Sequence, residues 1–505
     1  MEFLSFVVSS RGLGVIVSIL ASLWVARLIL KKYKPQTALF LGGITLFLLV
    51  LLISLIWGEA PKVIGNQHLP PDHILTRIKP IGNPLLDIFG AIEGLFSNRI
   101  AGLGLLIMSV MGFVKYMDAI GANKAFVRVG VKPLQFIKSP YVVLVLAFLV
   151  GQTMKIAITS ASGLGVLLMA TMFPILLRLG VSRPAATAVI ATTGCIDLGP
   201  ATGTGIAIVK AANILTSDGK ADMATYFIKY QLPVAIPVLI TIAILHFIVQ
   251  YWFDKKEGYV FQAGQILETN DSDEIKPPAF YAVLPLIPLF LVLIINEAFI
   301  LEINMLLAHF GSSVVIPNKT IGLFAAILVS LFFTMIIEYI RSFNAKKVFD
   351  SIQIVFDGMG AAFAGVITLI VAGEVFASGL LATGSVDTLL SFAKDSGAGV
   401  IPLTLFMQGL IVTASLLMGS GDAAIFSFIS IGAVVAEHFN AEPIAVLMPM
   451  QICSSLARSF SPITAVVVAV SAIAGISPVE IIKRTAVPMI GGIITLTIVN
   501  IILFL

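Results

Sequence analysis

Apolar residues in this chain come in runs of about 20, the length an α-helix needs to cross a hydrocarbon core about 30 Å thick. They fall near residues 12–30, 36–57, 99–120, 226–252, 280–300, 319–340, 360–381 and 485–505, and they predict eight plain crossings. Two further apolar regions, about 139–215 and 400–475, are too long for one helix and are interrupted by small and polar residues. Each predicts a hairpin followed by a broken helix. The polar intervals are a Pro-containing loop over 58–98, which includes the amphipathic stretch PLLDIFGAIEGLF, and a hydrophilic connector over 254–278. Neither has room for a separate catalytic domain.

The halves align at an offset near 260 residues. GFVKYMDAIGA (112–122) faces GEVFASGLLATG (373–384), ITSASGLG (158–165) faces LMGSGDAA (417–424), RPAATAV (183–189) faces EPIAVLM (442–448), and IDLGPAT (196–202) faces RSFSPIT (458–464). Lys and Arg accumulate on the cytoplasmic side of membrane proteins. With both termini periplasmic, that side collects Arg27, Lys31, Lys32, Lys34, the Lys115–Lys138 cluster, Arg178, Arg183, Lys255, Lys256, Lys276, Arg341, Lys346, Lys347, Lys483 and Arg484.

This count requires hairpin 139–178 to open inside and hairpin 400–437 to open outside, both re-entrant. Each half then makes five membrane crossings, one of them a broken helix, and the second half is inserted upside down. The expected fold is an all-α polytopic membrane protein of two inverted-topology repeats. Residues 1–253 form the first, 254–278 a cytoplasmic connector and 279–505 the second. The interrupted parts are 139–215 (hairpin plus broken helix 183–215) and 400–475 (hairpin plus broken helix 442–475), set among the plain helices.

Composition agrees. The chain has 505 residues, 58% hydrophobic and 11% charged, with a mean hydropathy of +1.05, which no soluble domain hides from water. The first run, Gly12 to Leu30, lacks a small-x-small cleavage site and ends among basic residues, so it reads as a retained helix. The net charge of +4 is a topology signal and gives no patch for nucleic acid. Cys195 and Cys453 sit in apolar surroundings and read as packing residues. His68 and His73 share a loop without a third ligand, so no metal site is expected. No phosphate-binding loop supports ATP-driven pumping.

Chemistry concentrates at the interruptions. Non-helical backbone at membrane depth survives only where it lines a cavity or is sealed in protein, and here it occurs at SASG (160–163), GSGDAA (419–424), GCIDLGPATGTG (194–205) and SSLARSFSPIT (454–464). Free helix N-termini suit an anion, and freed carbonyls suit a cation. Pro200 and Pro462 are expected in the first turns of the second half-helices. An arginine near a bilayer centre costs about 2.5–3.5 kcal/mol on insertion scales, so Arg458 is expected to be used. Its planar fork matches a carboxylate, with Ser454, Ser455, Ser459, Ser461 and Thr464 around it.

The alternative for Arg458 is a pair with a buried acid that holds the broken helix. The acids at that depth are Asp197 and Asp422, either of which could bind a coupling ion. Lys155 reads equally as a substrate contact or as a partner of Asp197. Glu374 and Asp118, at matching repeat positions, read as scaffold residues.

SASGLGVLLMATMFP, PPAFYAVLPLIP, EYIRSFNAKKVF, GSGDA, LARSFSPITAVVVAV and SPVEIIKRTAVPM resemble the anaerobic C4-dicarboxylate carrier family of the DcuC type, over nearly the whole chain. The resemblance implies membership of the ion-transporter superfamily, an elevator mechanism on a homodimeric scaffold, and C4-dicarboxylate (succinate, fumarate, malate) transport across the bacterial inner membrane. It implies no cofactor, only H+ or Na+ as coupling ion. Superfamily relatives bind sodium between hairpin tips and helix breaks, which here points to Ser160, Ser162, Ser420, Gly421, Asp197 and Ser459, and their mobile domain corresponds to transport parts 139–215 and 400–475 against a scaffold of the remaining helices. Taken with the reading of the residues themselves, the expected substrate contacts are Arg458, Ser459, Ser455, Ser420, Gly421, Ser160, Ser162, Lys155, Thr202 and Thr464, and the expected coupling-ion contacts are Asp197, Asp422, Ser162 and Ser461.

Three charges depart from the family pattern. Asp422 stands where an Asn is expected, Asp197 where no acid is, and Lys155 is unusual. These leave another organic anion or an acidic amino acid open as substrate. GSGD also fits an intramembrane aspartyl protease with Asp197 as the second acid, but no Tyr precedes Asp197 and a protease does not require the duplication. An anion channel is the other rival reading.

Overall fold

The computed structural model describes residues 10–57, 63–64, 66, 74–137, 139–217, 219–259, 277–310, 314–316, 320–395, 397 and 399–505. His68, His73 and most of the connector, 260–276, lie outside them. Among the described residues the chain is helical, with one isolated β-bridge between Leu215 and Ala221. Nine helices among the described residues are long and apolar enough to cross a membrane, and the pair Ala279–Ile294 and Phe299–His309 is bent by 65°. The protein is thus a polytopic membrane protein. The third crossing begins earlier than the hydropathy suggests, because PLLDIFGAIEGLF runs straight into it and gives a continuous span Pro84–Ala119.

The chain divides into two compact units, and neither is a sequence half. Unit 1 holds Met1–Leu105, Phe363–Met450 and Phe504–Leu505; unit 2 holds Leu106–Ala362 and Gln451–Leu503.

Unit 1 is built on helix Thr368–Ala382, buried from Leu369 to Ala382. Against it pack Pro35–Trp57, Gly421–His438, Pro84–Arg99 and Ser385–Asp395. Small residues permit this, because helices in lipid associate through close van der Waals contact. A Cβ on Gly43 would lie 2.6 Å from the Val375 carbonyl carbon, and one on Gly379 would lie 2.7 Å from Leu46 Cβ. Glu374 pairs with Arg99, at the start of a π-helical turn, Ile100–Gly104. The hairpin Val400–Met418 and Gly421–His438 turns at Gly419, with φ +62°, and Ser420 caps its second arm by accepting from Ala423 N at 3.1 Å. Asp422 sits in the first turn of that arm.

Unit 2 is centred on helix Arg183–Thr192, buried at every position from Ala185 to Thr192. Pro140–Met154, Ala161–Arg178, Leu232–Lys256 and Ala465–Ala474 surround it. Two observations differ from the hydropathy reading. Asp254, taken as the start of the connector, ends helix Leu232–Lys256 and is buried. Arg484, counted among the cytoplasmic charges, is buried and ion-paired with Asp254 at 2.8 Å and with Glu257 at 2.6 Å. Hydropathy averages over a window, so it cannot distinguish a loop charge from a buried pair at a helix end. Asp118, at the end of Leu105–Ala119, accepts from the Asn123 amide.

Helix Thr368–Ala382 leaves no space at Gly373, where a Cβ would stand 2.5 Å from Phe426 O and 2.9 Å from Ser427 Cα, both backbone atoms. Gly373→Leu is expected to destabilise the protein by at least about 1–3 kcal/mol, the usual effect of overpacking. Gly360→Leu, where a Cβ meets nothing within 4 Å, should leave Tm of the detergent-solubilised protein unchanged. Equal melting of the two variants would refute this packing account.

Candidate functional site

The site grows out of the break between Arg183–Thr192 and Gly203–Ala211, both in unit 2. Helix Arg183–Thr192 ends in turns at Thr193 and Cys195, and Gly203–Ala211 restarts with Thr202 as N-cap, its hydroxyl accepting from Gly205 N at 3.2 Å. Ten residues between the helices therefore lack regular helical bonding. Pro200 and Pro462 each lie three residues before the second half-helix, which begin at Gly203 and Ala465, so they shape the unwound turn and do not occupy a first helical turn.

Two glycines let the hairpin Pro140–Met154 and Ala161–Arg178 approach this strand of bare backbone. A Cβ on Gly194 would lie 3.1 Å from Ala161 Cβ and 3.5 Å from Lys155 Cδ. Gly199 has φ +110°, a conformation glycine adopts without strain, and lies against Ile156.

Buried peptide groups need partners, and here two glutamines supply them. Gln152 Nε2 donates to Ile196 O at 2.8 Å, and its Oε1 accepts from Ile196 N at 3.4 Å. Gln231 Nε2 donates to Asp197 O at 2.8 Å, and its Oε1 accepts from Gly199 N at 3.0 Å. Asp197 is thus held by its own backbone between two side-chain clamps from neighbouring helices.

Its carboxylate is the focus. Oδ1 accepts from Lys155 Nζ at 2.9 Å and from Arg458 Nη2 at 2.8 Å, and Oδ2 accepts from Ser455 Oγ at 3.0 Å and Thr204 Oγ1 at 3.5 Å. The three charged residues are 1% (Lys155), 5% (Asp197) and 7% (Arg458) exposed. Lys155 Nζ also donates to Thr159 O, bridging its own hairpin turn, while Arg458 Nη2 donates to Gly194 O at 3.1 Å. Gly194 follows the C-terminus of Arg183–Thr192, where a cation is favoured by the helix dipole.

The sequence-predicted residues therefore divide. Lys155, Asp197, Arg458 and Ser455 meet at one carboxylate. Ser459 Oγ donates to Ser455 O, Thr464 Oγ1 to Arg458 O and Ser454 Oγ to Gln451 O, so these hydroxyls bond their own segment. Ser461 lies in the turns after Arg458, with its N–H on Arg458 O. Thr202 serves as a cap. Ser160 caps Ala161–Arg178 and lies 3.4 Å from Ser162 Oγ. Ser420, Gly421 and Asp422 stand at a helix N-terminus in unit 1.

Gln152, Gln231, Gln451 and Tyr226 escaped the sequence reading. Tyr226 OH donates to Gln451 Oε1, and Gln451 Nε2 donates to Thr204 Oγ1 at 3.0 Å. The available signal was an amide in an apolar helix, which must find a partner.

A model of the C4-dicarboxylate anaerobic carrier family, DcuC, matches residues 13–505. The chain belongs to the DcuC family. It is 34% identical over 487 residues to a Vibrio cholerae protein named a probable anaerobic C4-dicarboxylate transporter DcuC, covering 96% of this chain and 97% of that one. It is 34% identical over 479 residues to the Escherichia coli K12 anaerobic C4-dicarboxylate transporter DcuC, covering 95% and 94%.

Two solved structures share the fold. Neisseria gonorrhoeae MtrF, which is described as illuminating a class of antimetabolite efflux pumps, has a TM-score of 0.53 at 14% identity and covers 94% of this chain and 95% of its own. The Alcanivorax borkumensis YdaH transporter, described as having an unusual topology, has a TM-score of 0.50 at 15% identity, covering 92% and 98%. DcuC membership makes the chain a transporter and not an enzyme, so the GSGD sequence is no protease motif here.

Gln231→Leu leaves Asp197 O and Gly199 N buried without this partner. Each lost pairing is expected to remove about 1–3 kcal/mol of stability. Amide hydrogen exchange should accelerate over 194–202 more than elsewhere in unit 2. Unchanged exchange there would show that Gln231 is not the clamp.

Proposed function

We propose that the protein is a secondary active transporter of C4-dicarboxylates such as succinate, fumarate and malate, in the bacterial inner membrane with both termini periplasmic. It works by elevator-type alternating access, as a homodimer, driven by H+ or Na+ or by counter-exchange. The observation that carries this reading is the buried Lys155–Asp197–Arg458 cluster at an unwound helix, in a chain of the DcuC family. A permanent guanidinium charge at that depth is expensive and marks a substrate or ion path. Charge-assisted hydrogen bonds to a carboxylate are roughly twice as strong as neutral ones.

Asp197 pairs with both basic groups, one carboxylate against two bases. A substrate carboxylate has the same donor requirements as Asp197, so it competes for Arg458 and Lys155, and Asp197 is released toward a coupling cation. Ser162 and Ser461 complete the coupling-ion side of this reading, and Ser160, Ser459, Thr202 and Thr464 the substrate side. Hairpins 139–178 and 400–437 are re-entrant in it. The first arm of the first hairpin has 15 residues, about 22 Å at the α-helical rise of about 1.5 Å per residue, shorter than a hydrocarbon core. Repeats 1–253 and 279–505 then give the two-fold inverted frame in which hairpins and broken helices move together against the scaffold.

Arg458→Ala should abolish counterflow of labelled succinate in proteoliposomes. Arg458→Lys keeps the charge and loses the fork, and should weaken apparent affinity about ten- to hundredfold, the equivalent of one charge-assisted hydrogen bond. Near-normal uptake by both variants would assign Arg458 a structural role only. Thermal-shift titration with mono-, di- and tricarboxylates, with sodium and pH varied, identifies ligand and coupling ion, because a ligand that binds the native state raises its stability.

A further inference from the structure

Unit 1 contains an apolar cleft of about 610 Å3 between helix Ser10–Leu30 and the two arms of the hairpin Val400–Met418 and Gly421–His438. It arises because the facing positions are small. Ser22 and Ala26 line one side, and Gly409 and Ala414 the other. Its floor is closed by Val25 and Phe376, both buried, while Phe406 and Leu417 at its rim are 64% and 41% exposed, so it opens outward. On the neighbouring turns Leu20 and Leu23 are exposed as well, on a membrane-spanning helix.

The lining offers nothing to a polar ligand. It contains no charged residue, and its three hydroxyls donate to their own helices: Ser22 to Ser18 O at 2.7 Å, Thr413 to Gly409 O at 2.8 Å and Ser427 to Ala423 O at 2.6 Å. A dicarboxylate has no partner there. Hydrocarbon does, and the volume is that of an ordinary ligand pocket. One end of the cleft is marked by Ile29, and around it the exposed side chains of Arg27, Lys31, Lys32 and Lys34 form a basic cluster at the helix terminus. Such clusters beside a membrane helix attract anionic lipid headgroups.

We propose that this cleft is a binding site for an anionic phospholipid of the phosphatidylglycerol type. One acyl chain lies between helix Ser10–Leu30 and the hairpin, and the phosphate is at the Arg27–Lys34 cluster. Because both hairpin arms form its walls, the bound lipid ties the hairpin to the first helix.

The test uses the purified full chain with phosphatidylglycerol or phosphatidylcholine carrying a diazirine in the acyl chain. Crosslinks are mapped by mass spectrometry, and retained lipid is counted by native mass spectrometry. Phosphatidylglycerol should label Val25, Phe376 or the Gly409–Leu417 face in preference to other lipid-facing helices. Gly409→Trp places bulk where a Cβ meets nothing within 4 Å and should remove that labelling, as should Ala414→Phe, each with an unchanged elution profile. Lys31→Gln with Lys32→Gln should reduce the preference for phosphatidylglycerol over phosphatidylcholine by about fivefold per charge. Labelling spread evenly over the lipid-facing helices, or retained in both filled variants, would overturn the site. Equal binding of the two lipids would overturn the anionic headgroup.

Discussion

One carboxylate organises the centre of unit 2. Asp197 sits on backbone that has left the helix, and it receives a lysine from a hairpin turn, an arginine from the end of helix Pro443–Arg458 and two hydroxyls. Removing one partner from a buried ion pair is strongly destabilising, typically by about 3–5 kcal/mol, because the remaining charge has lost its solvation. The three segments are therefore coupled. Withdrawing one of these charges leaves another buried without its partner.

The neutral clamps matter as much as the charges. An unwound stretch inside a membrane protein exposes peptide groups that lipid cannot satisfy. Gln152 and Gln231 satisfy those on either side of Asp197, and the two glycines that follow Thr193 and Leu198 let the hairpin close over them. The amides thereby fix the main chain on both sides of Asp197 without drawing on the ion pairs.

A second buried network in unit 2 uses the same chemistry for anchoring. Arg484 bonds Asp254, Glu257 and Gln250; Ser182, the cap of Arg183–Thr192, donates to Asp254; and at the other end of that helix Thr192 meets His246. The helix carrying the break is held at both ends against Leu232–Lys256. In unit 1, small residues permit close approach around Thr368–Ala382, and the Arg99–Glu374 ion pair joins two of its helices.

Hydropathy alone determined that the chain is helical and membrane-embedded, because burying apolar runs of that length has no other outlet. The small and polar interruptions located the break at 194–205, and family motifs named the transporter class. What the linear pattern could not supply was pairing. It offered Lys155, Asp197 and Arg458 as separate charges with substrate, ion or each other as partners, and only the fold brings residues 155, 197 and 458 to one oxygen atom. It did not show that the hydroxyls of Ser459 and Thr464 donate to Ser455 O and Arg458 O, and it passed over Gln152 and Gln231, whose importance depends on which backbone lies opposite. Periodicity and transfer energy act locally along a chain, whereas hydrogen-bond partners are chosen by distance in space.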